Sequence, residues 1–154
     1  MEITKYRVEL DKKKHCILAE ENVSEWNGCD VSSPDLVVDM LNSCFRLDRA
    51  AEEHVYLLSL STKNRVLGVF EVSHGSVEVS VMEPREIFMR VLLSGGKHFI
   101  LAHNHPSGDV TPSTQDVETT KRIVDAAKIM RMALLDHIII GDGYCSLREE
   151  GIVK

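Results

Sequence analysis

One segment of the chain, KHFILAH at residues 97–103, restricts the fold more than any other. Every position from Phe99 to Ala102 is apolar, which is typical of a β-strand covered by other elements on both of its faces. The stretches around it change repeatedly between strand-like and helix-like patterns, without internal repeats or low-complexity tracts. This order predicts an α/β protein in which helices pack on a mixed sheet.

Hydrophobic periodicity predicts the individual elements. Residues 3–10 and 14–20 alternate in polarity around a polar turn, which predicts a hairpin-like N-terminal extension over residues 1–30. Ser33 and Pro34 suit the start of a first helix. Apolar residues at helical spacing predict helices at 32–48, 84–96 and 116–132. Further strands are predicted at 54–62, 65–73, 76–82, 134–140 and 144–147.

Length and composition favour a globular protein of one domain, residues 1–154. The four cysteines include no CxxC pair, so neither a zinc knuckle nor a redox motif is indicated. The formal net charge of -6, from 24 acidic and 18 basic residues, gives no overall field that attracts DNA or an acidic membrane. No stretch resembles a signal peptide or a membrane span, so we expect a cytoplasmic protein.

Two histidines mark the end of the apolar strand. Side chains two residues apart on a strand point the same way, so His103 and His105 can present their imidazoles to one point. Asn104 points the opposite way, which favours a role in fixing the backbone at the strand end. Pro106, Ser107 and Gly108 then end the strand. The histidine pair is therefore expected at the mouth of a pocket at the edge of the sheet.

A metal ion at this point needs a third protein ligand, for which Asp109 and Asp116 compete. Asp116 lies two helical turns before Ile123, on the helix face that packs inward, where a carboxylate needs a partner. Asp109 lies in a polar turn and could simply serve that turn. In the other interpretation, Ser113 and Asp116 form a capping box at the helix start. The histidine pair upstream favours the metal interpretation.

Three protein ligands are typical of a catalytic zinc site, because a structural site is usually closed by four. A hydrolytic site also needs a base that takes a proton from water and passes it to the leaving amine. The upstream candidates are Glu71, Glu78, Glu83 and Glu86. Glu71 is the candidate with the least evident structural role, because it lies near the end of an apolar strand, where a carboxylate would otherwise be poorly placed. The others suit a solvent-facing strand position or a helix start.

These residues match a known pattern. His103, one residue, His105, seven residues, Ser113, two residues and Asp116, with a glutamate upstream, resemble the JAMM motif of the JAB1/MPN+ metalloproteases. Five blocks in order resemble the RadC-like branch of that superfamily over about Val55 to Leu147: FEVSHGS, PREIF, ILAHNHPSGD, TPSTQD and LDHIIIGDG. The resemblance implies a RadC-like JAB domain at residues 33–154.

The resemblance also implies a fold and a set of roles. The fold would be a three-layer α/β/α sandwich with a mixed central sheet, of the JAB/MPN, cytidine-deaminase-like kind. It would hold one Zn²⁺ per chain, with another divalent metal as the alternative. The resemblance assigns His103, His105 and Asp116 as metal ligands. It assigns Glu71 as general acid and base, and Ser113 as the donor that stabilises the oxyanion, a role that suits a hydroxyl.

The resemblance leaves two functions open. The first is a zinc metallopeptidase that cleaves a peptide or isopeptide bond in a peptide or protein substrate. The second is an accessory module in DNA repair or mobile-element DNA transactions, which binds metal without peptidase activity. In full-length RadC proteins, a region that resembles a helix-hairpin-helix DNA-binding region precedes the JAB domain. The first fifty residues here lack that pattern. Strong nucleic-acid binding is therefore not expected.

Several other residues have a structural interpretation. His137 and Asp136 are expected to be hydrogen-bonded in the core, with His137 as a partner behind the metal ligands in the alternative interpretation. His74 is expected to be a solvated turn residue. Exposed edge strands would permit a homodimer.

Overall fold

The structure is a computed structural model, and it describes residues 1–75 and 82–154. Within these ranges the chain forms seven strands and three α-helices. The strands are β1 (Glu2–Leu10), β2 (Cys16–Glu25), β3 (Glu53–Leu60), β4 (Val66–Gly75), β5 (His98–Asn104), β6 (Ala133–Ile140) and β7 (Tyr144–Ser146). The helices are α1 (Pro34–Phe45), α2 (Pro84–Leu93) and α3 (Thr114–Ile129).

The strands form one mixed sheet in the order β2-β1-β4-β3-β5-β6-β7. Strands β1 and β4 are parallel, as are β5 and β6, and the other neighbouring pairs are antiparallel. The predicted hairpins at residues 3–20 and 54–73 are both present. Asn64 adopts the left-handed conformation, with φ of 55°, in the second turn. The strand predicted at 76–82 falls mostly on residues 76–81, which lie outside the described residues.

Helices cover both faces of the sheet. Val37, Met40 and Leu41 of α1 pack on one face, in a core that includes Ile100 and Ala102 of β5. Helices α2 and α3 pack on the opposite face, in a core that includes Phe99 and Leu101. Alternate residues of β5 thus enter different cores, which is why its sequence is apolar without interruption. The predicted α/β fold with a mixed central sheet between helical layers is confirmed.

The helix boundaries follow from local chemistry. Pro34 begins α1 after Ser33, whose side chain makes no capping hydrogen bond. Helix α1 ends at Arg46, which adopts the left-handed conformation with φ of 55°. Helix α3 begins at Thr114, two residues before the predicted start, because the Ser113 side chain caps it. None of the helices in the described part of the chain is long and apolar enough to span a membrane.

Candidate metal centre

The histidine pair stands where β5 ends against its parallel neighbour β6. The backbone amide of His105 donates to the carbonyl of Ile140 at 2.8 Å, which extends the pairing with β6 past Asn104. The His103 side chain is 3 % exposed and that of His105 is 15 % exposed. Their Nε2 atoms lie 3.0 Å apart. The two imidazoles therefore converge on one point, as the alternation of the strand predicts.

A hydrogen bond fixes the protonation of His105. Its Nδ1 lies 2.6 Å from the backbone carbonyl oxygen of Asp109. A carbonyl only accepts, so Nδ1 carries a proton, and Nε2 is the nitrogen that can offer a lone pair. The Asp109 carboxylate accepts the amide N–H of Thr111 at 2.9 Å. Asp109 thus serves the turn with its side chain and His105 with its backbone.

Asp116 caps helix α3 and lies beside the histidine pair. Its Oδ2 accepts the N–H and the O–H of Ser113, at 2.8 and 2.7 Å, and its own N–H donates back to Ser113 Oγ at 3.1 Å. This is a capping box at the start of α3. Its Oδ1 lies 3.4 Å from His103 Nε2, and its Oδ2 lies 3.7 Å from His105 Nε2. The cap therefore holds the carboxylate against the histidine pair.

Glu53 brings a second carboxylate to the histidines. Its side chain is 9 % exposed, and Oε1 lies 3.6 Å from His105 Nε2. One ligand atom each of Glu53, His103 and His105 lie within 4.8 Å of one another. Burial raises the pKa of Glu53, an effect that His105 partly offsets and Asp116 reinforces. A carboxyl with a raised pKa beside a reactive centre suits proton transfer.

The sequence interpretation missed Glu53. Glu52 and Glu53 precede the apolar run of β3 and look like the polar end of a turn. The signal that identifies Glu53 is the sheet register. Val55 pairs with His103 in antiparallel strands, so two residues earlier on β3 corresponds to two residues later on β5, which sets Glu53 opposite His105.

Glu71 does not join the histidine pair, which corrects the expectation that it stands beside them. It pairs with Tyr56, and Tyr56 pairs with Ala102, whereas His103 pairs with Val55. Successive residues on a strand point to opposite faces, so Glu71 and His103 lie on opposite faces of the sheet.

Glu71 instead belongs to a separate ionic cluster. Lys5 Nζ lies 2.7 Å from its Oε2, and the Nδ1 atoms of His54 and His74 lie 2.8 and 3.3 Å from its Oε1. Burial raises the pKa of Glu71, but the hydrogen bonds from Lys5 and His54 outweigh it and hold the pKa below its ordinary value. His74 is exposed, as expected, but it lies on strand β4 and not in a turn. The ion pair with Lys5 is the structural reason for a carboxylate in this apolar strand.

The other candidate bases lie elsewhere or outside the described residues. Glu86 is paired with Arg85 and Arg90 on α2, at 2.6 and 3.1 Å. Glu83 occupies the N-cap position of that helix. Glu78 lies within residues 76–81, which the structure does not describe.

Asn104 ties the histidine strand to the strand that carries Glu53. Its Oδ1 accepts the backbone N–H of His54 at 2.8 Å, and its Nδ2 donates to the carbonyl of Glu52 at 2.9 Å. The two peptide groups on either side of Glu53 are thereby fixed by one buried side chain. The prediction that Asn104 fixes the backbone is confirmed.

His137 and Asp136 are both buried and hydrogen-bonded. The Asp136 carboxylate accepts from the backbone N–H groups of His137 and Arg148 and from the hydroxyl of Ser146. His137 Nε2 lies 2.8 Å from His103 Nδ1. His137 is therefore both a core histidine, as expected, and a direct neighbour of the histidine pair.

The cluster opens into a cavity of about 700 Å³. Glu53, His105, Ser113 and Asp116 line its polar side. Met82 and Pro106 contribute apolar surface. The cavity is large enough to admit part of a peptide chain.

The donor set fits a divalent metal ion. Each Nδ1 of the two histidines already has a hydrogen-bond partner, so the Nε2 atoms are the free donors, and carboxylate oxygens lie on two sides of them. Imidazole nitrogen with carboxylate oxygen is a usual donor combination for zinc and for several other first-row metals. Residues of β3, β5 and α3 thus form a candidate metal centre at the end of the central strands.

The fold and this cluster define a class: α/β proteins with a candidate histidine–carboxylate metal centre at the end of a central strand. The model of the RadC-like JAB domain matches residues 31–152. The chain belongs to the RadC-like JAB domain family.

Curated relatives support this assignment. A UPF0758 protein of Caldanaerobacter subterraneus subsp. tengcongensis is 40 % identical over 148 residues, which cover 96 % of this chain and 60 % of the relative. A UPF0758 protein of Clostridium acetobutylicum is 48 % identical over 103 residues, or 66 % of this chain and 45 % of the relative. A UPF0758 protein of Desulfitobacterium hafniense is 44 % identical over 125 residues, or 80 % of this chain and 54 % of the relative. The chain thus spans about half the length of these relatives.

Proposed function

We propose that the chain is a zinc-dependent hydrolase that cleaves an amide bond in a peptide or protein substrate. His103, His105 and Asp116 would hold the metal, and Glu53 would serve as general acid and base in place of Glu71. The observation that carries the proposal is the convergence of two Nε2 atoms, 3.0 Å apart, between two carboxylates. Two lone pairs at this distance repel each other, and a cation bound to both nitrogens would relieve that repulsion.

Asp116 and Glu53 differ in their surroundings, which supports different roles. Asp116 accepts two hydrogen bonds from Ser113 on one oxygen, which orients the carboxylate. The pKa of Glu53 is raised by burial, and its side chain lines the cavity. Asp116 thus suits a ligand and Glu53 a proton carrier.

A zinc ion held by these residues would supply Lewis acidity, which activates a water molecule and polarises the carbonyl of the scissile bond. Glu53 would accept the proton of that water and deliver it to the departing amine nitrogen. The walls of the cavity would orient the substrate and exclude bulk water.

The hydroxyl of Ser113, which is expected to stabilise the oxyanion, is already engaged in another hydrogen bond. Its one hydroxyl proton is donated to Asp116 Oδ2 at 2.7 Å. Donation to an oxyanion would require the hydroxyl to turn toward the cavity, which Ser113 lines. Stabilisation of the oxyanion by Ser113 remains a prediction, and its hold on Asp116 is a second contribution to the same site.

Matched glutamate substitutions test the proposal. The zinc-loaded chain is assayed for cleavage of a mixed peptide and isopeptide library, with chelated protein as the blank. We expect Glu53→Gln to retain zinc and to lose cleavage by about 10²- to 10⁴-fold, the usual contribution of a general base. Glu71→Gln should retain cleavage, because Glu71 lies on the other face of the sheet. Loss of cleavage in Glu71→Gln alone, or no cleavage by the zinc-loaded wild type, would contradict the proposal.

A further inference from the structure

Behind the histidine pair, on the side away from the cavity, two buried side chains continue the hydrogen bonding of His103. Its Nδ1 lies 2.8 Å from His137 Nε2. His137 Nδ1 lies 2.6 Å from the hydroxyl of Thr120, and that hydroxyl lies 2.6 Å from the carbonyl oxygen of Asp116. Thr120 and His137 have no measurable exposure. This relay joins the first histidine to the backbone of the candidate ligand Asp116.

The end of the relay determines the direction of its hydrogen bonds. The Asp116 carbonyl can only accept, so the single hydroxyl proton of Thr120 is donated to it. Thr120 Oγ1 then accepts from His137 Nδ1–H, and His137 Nε2 accepts from His103 Nδ1–H. His137 is fully buried, with the Thr120 hydroxyl at one nitrogen and the His103 imidazole at the other, so one N–H on each ring satisfies every contact of the relay without burying an unpaired charge. The Nε2 atom of His103 is left with a free lone pair that faces His105 and Asp116.

The reverse direction would disable the site. If Thr120 donated to His137 Nδ1, then His137 Nε2–H would donate to His103 Nδ1. The proton of His103 would then sit on Nε2, at the position where a metal ion needs a lone pair. The direction of the relay thus decides whether His103 can act as a ligand.

We propose that His137 and Thr120 are positioning residues that hold His103 in its Nδ1–H form and so prepare it to bind metal. The inference rests on the metal ligands of the proposed function, and it requires no particular substrate. A histidine that only fills the core would leave the tautomer of His103 and the metal affinity unchanged when its partner hydroxyl is removed.

The first test uses the metal-free wild-type chain. Two-dimensional ¹⁵N–¹H spectra of the imidazole rings distinguish Nδ1–H from Nε2–H tautomers, and His103→Gln and His137→Gln variants assign the signals. We expect Nδ1–H for His103 and for His137. An Nε2–H tautomer at His103 would overturn the proposal, whether or not the chain binds zinc.

The second test removes only the hydroxyl at the end of the relay. In Thr120→Val a buried His137 Nδ1–H has no acceptor, so we expect the proton of His137 to move to Nε2 and that of His103 to move to Nε2 as well. Zinc affinity, measured by competition with a chromophoric chelator, should fall by about 10- to 100-fold, as for other partners behind metal ligands. Thr120→Ser keeps the hydroxyl and should restore both properties. Thermal unfolding of each variant confirms that it is folded.

The outcomes separate this inference from the proposed function. A wild-type chain that binds no zinc contradicts the proposed function, while its imidazole spectra still decide the direction of the relay. Wild-type zinc affinity and wild-type tautomers in Thr120→Val would overturn the relay and leave the metal centre intact. A Thr120→Val chain that does not fold leaves the wild-type tautomers as the deciding measurement.

Discussion

At the scale of single residues, the carboxylates divide by the face of the sheet they occupy. Glu53 points to the histidine pair, whereas Glu71 points to Lys5 and His54 on the other face. Both side chains are partly buried acids on neighbouring strands. Whether such a glutamate can act as a proton carrier or forms a structural ion pair therefore depends on the face of the sheet to which it points. A shift of one residue in the strand register would move it to the other face.

Replacement of Glu71 should cost stability. In Glu71→Gln the ammonium group of Lys5, whose side chain is 12 % exposed, loses its charged partner at 2.7 Å. We expect a decrease of about 1–3 kcal/mol in the free energy of unfolding, since a largely buried charge is left poorly paired. Urea denaturation measures this decrease.

Glu21→Gln is the matched control. Glu21 is 39 % exposed and lies 3.6 Å from the same ammonium group, so the loss of its charge should lower the free energy of unfolding by less than about 0.5 kcal/mol. Equal costs in the two variants would contradict the assignment of Glu71 as the structural partner.

At the scale of secondary-structure elements, the site depends on how strands and a helix end. Strand β5 ends at Asn104, whose amide fixes the start of β3, and α3 begins with a cap that also orients Asp116. The functional side chains thus lie at element ends, while the regular parts of β3, β5 and α3 fill the two cores. The rigid cores support a precise arrangement at these ends.

Two helix N-caps of the chain provide a matched comparison. Ser113 forms a capping box, whereas Ser33 occupies an N-cap position without a side-chain hydrogen bond. We expect Ser113→Ala to lower the free energy of unfolding by about 1 kcal/mol and Ser33→Ala to lower it by less. Ser113→Ala should also weaken zinc binding, because three hydrogen bonds join Ser113 and Asp116 and two of them involve the hydroxyl that the substitution removes. Chemical denaturation and zinc titration of both variants check this, and equal effects at the two sites would show that the capping box contributes nothing.

Sequence periodicity predicted the elements well and the site in part. The continuous apolar run from Phe99 to Ala102 predicted a strand buried on both faces, and the structure packs a core against each face. His103 and His105 are two positions apart on a strand, which predicted that their side chains point the same way. The spacing of Ser113 and Asp116 is that of a capping box, which the structure contains. Glu53 could not be found in this way, because its place depends on pairing between β3 and β5, and local periodicity contains no information about register.

At the scale of the whole molecule, the buried histidines of the candidate metal centre also affect the stability of the fold. His103 and His137 lie among the residues that connect β5, β6 and α3, so their charge affects the packing of all three. Burial lowers the pKa of His103 from 6.5 to about 4, against the attraction of Asp116. A base with a lowered pKa in the folded chain contributes stability above the unfolded value, and that stability is lost as the pH falls through the folded value.

The metal-free chain should therefore lose stability between pH 6.5 and about 4. Urea midpoints measured with a chelator at pH 7.5 and 4.5 should show the loss, and the dependence should be shallower in His103→Asn. His15→Asn, at an exposed turn, should keep the wild-type dependence. A wild-type midpoint that does not change over this range would contradict the burial of neutral histidines in the centre.

We propose that His103, His105 and Asp116 form one metal centre. The most direct measurement is the zinc content of the purified chain after equilibration with a slight excess of zinc and removal of the unbound metal, determined by mass spectrometry with an inductively coupled plasma. We expect about one zinc ion per wild-type chain. We expect the same content in Glu71→Gln and a content near zero in His103→Ala and Asp116→Ala. A wild-type chain without bound zinc, or variants of these ligands that retain it fully, would contradict this proposal.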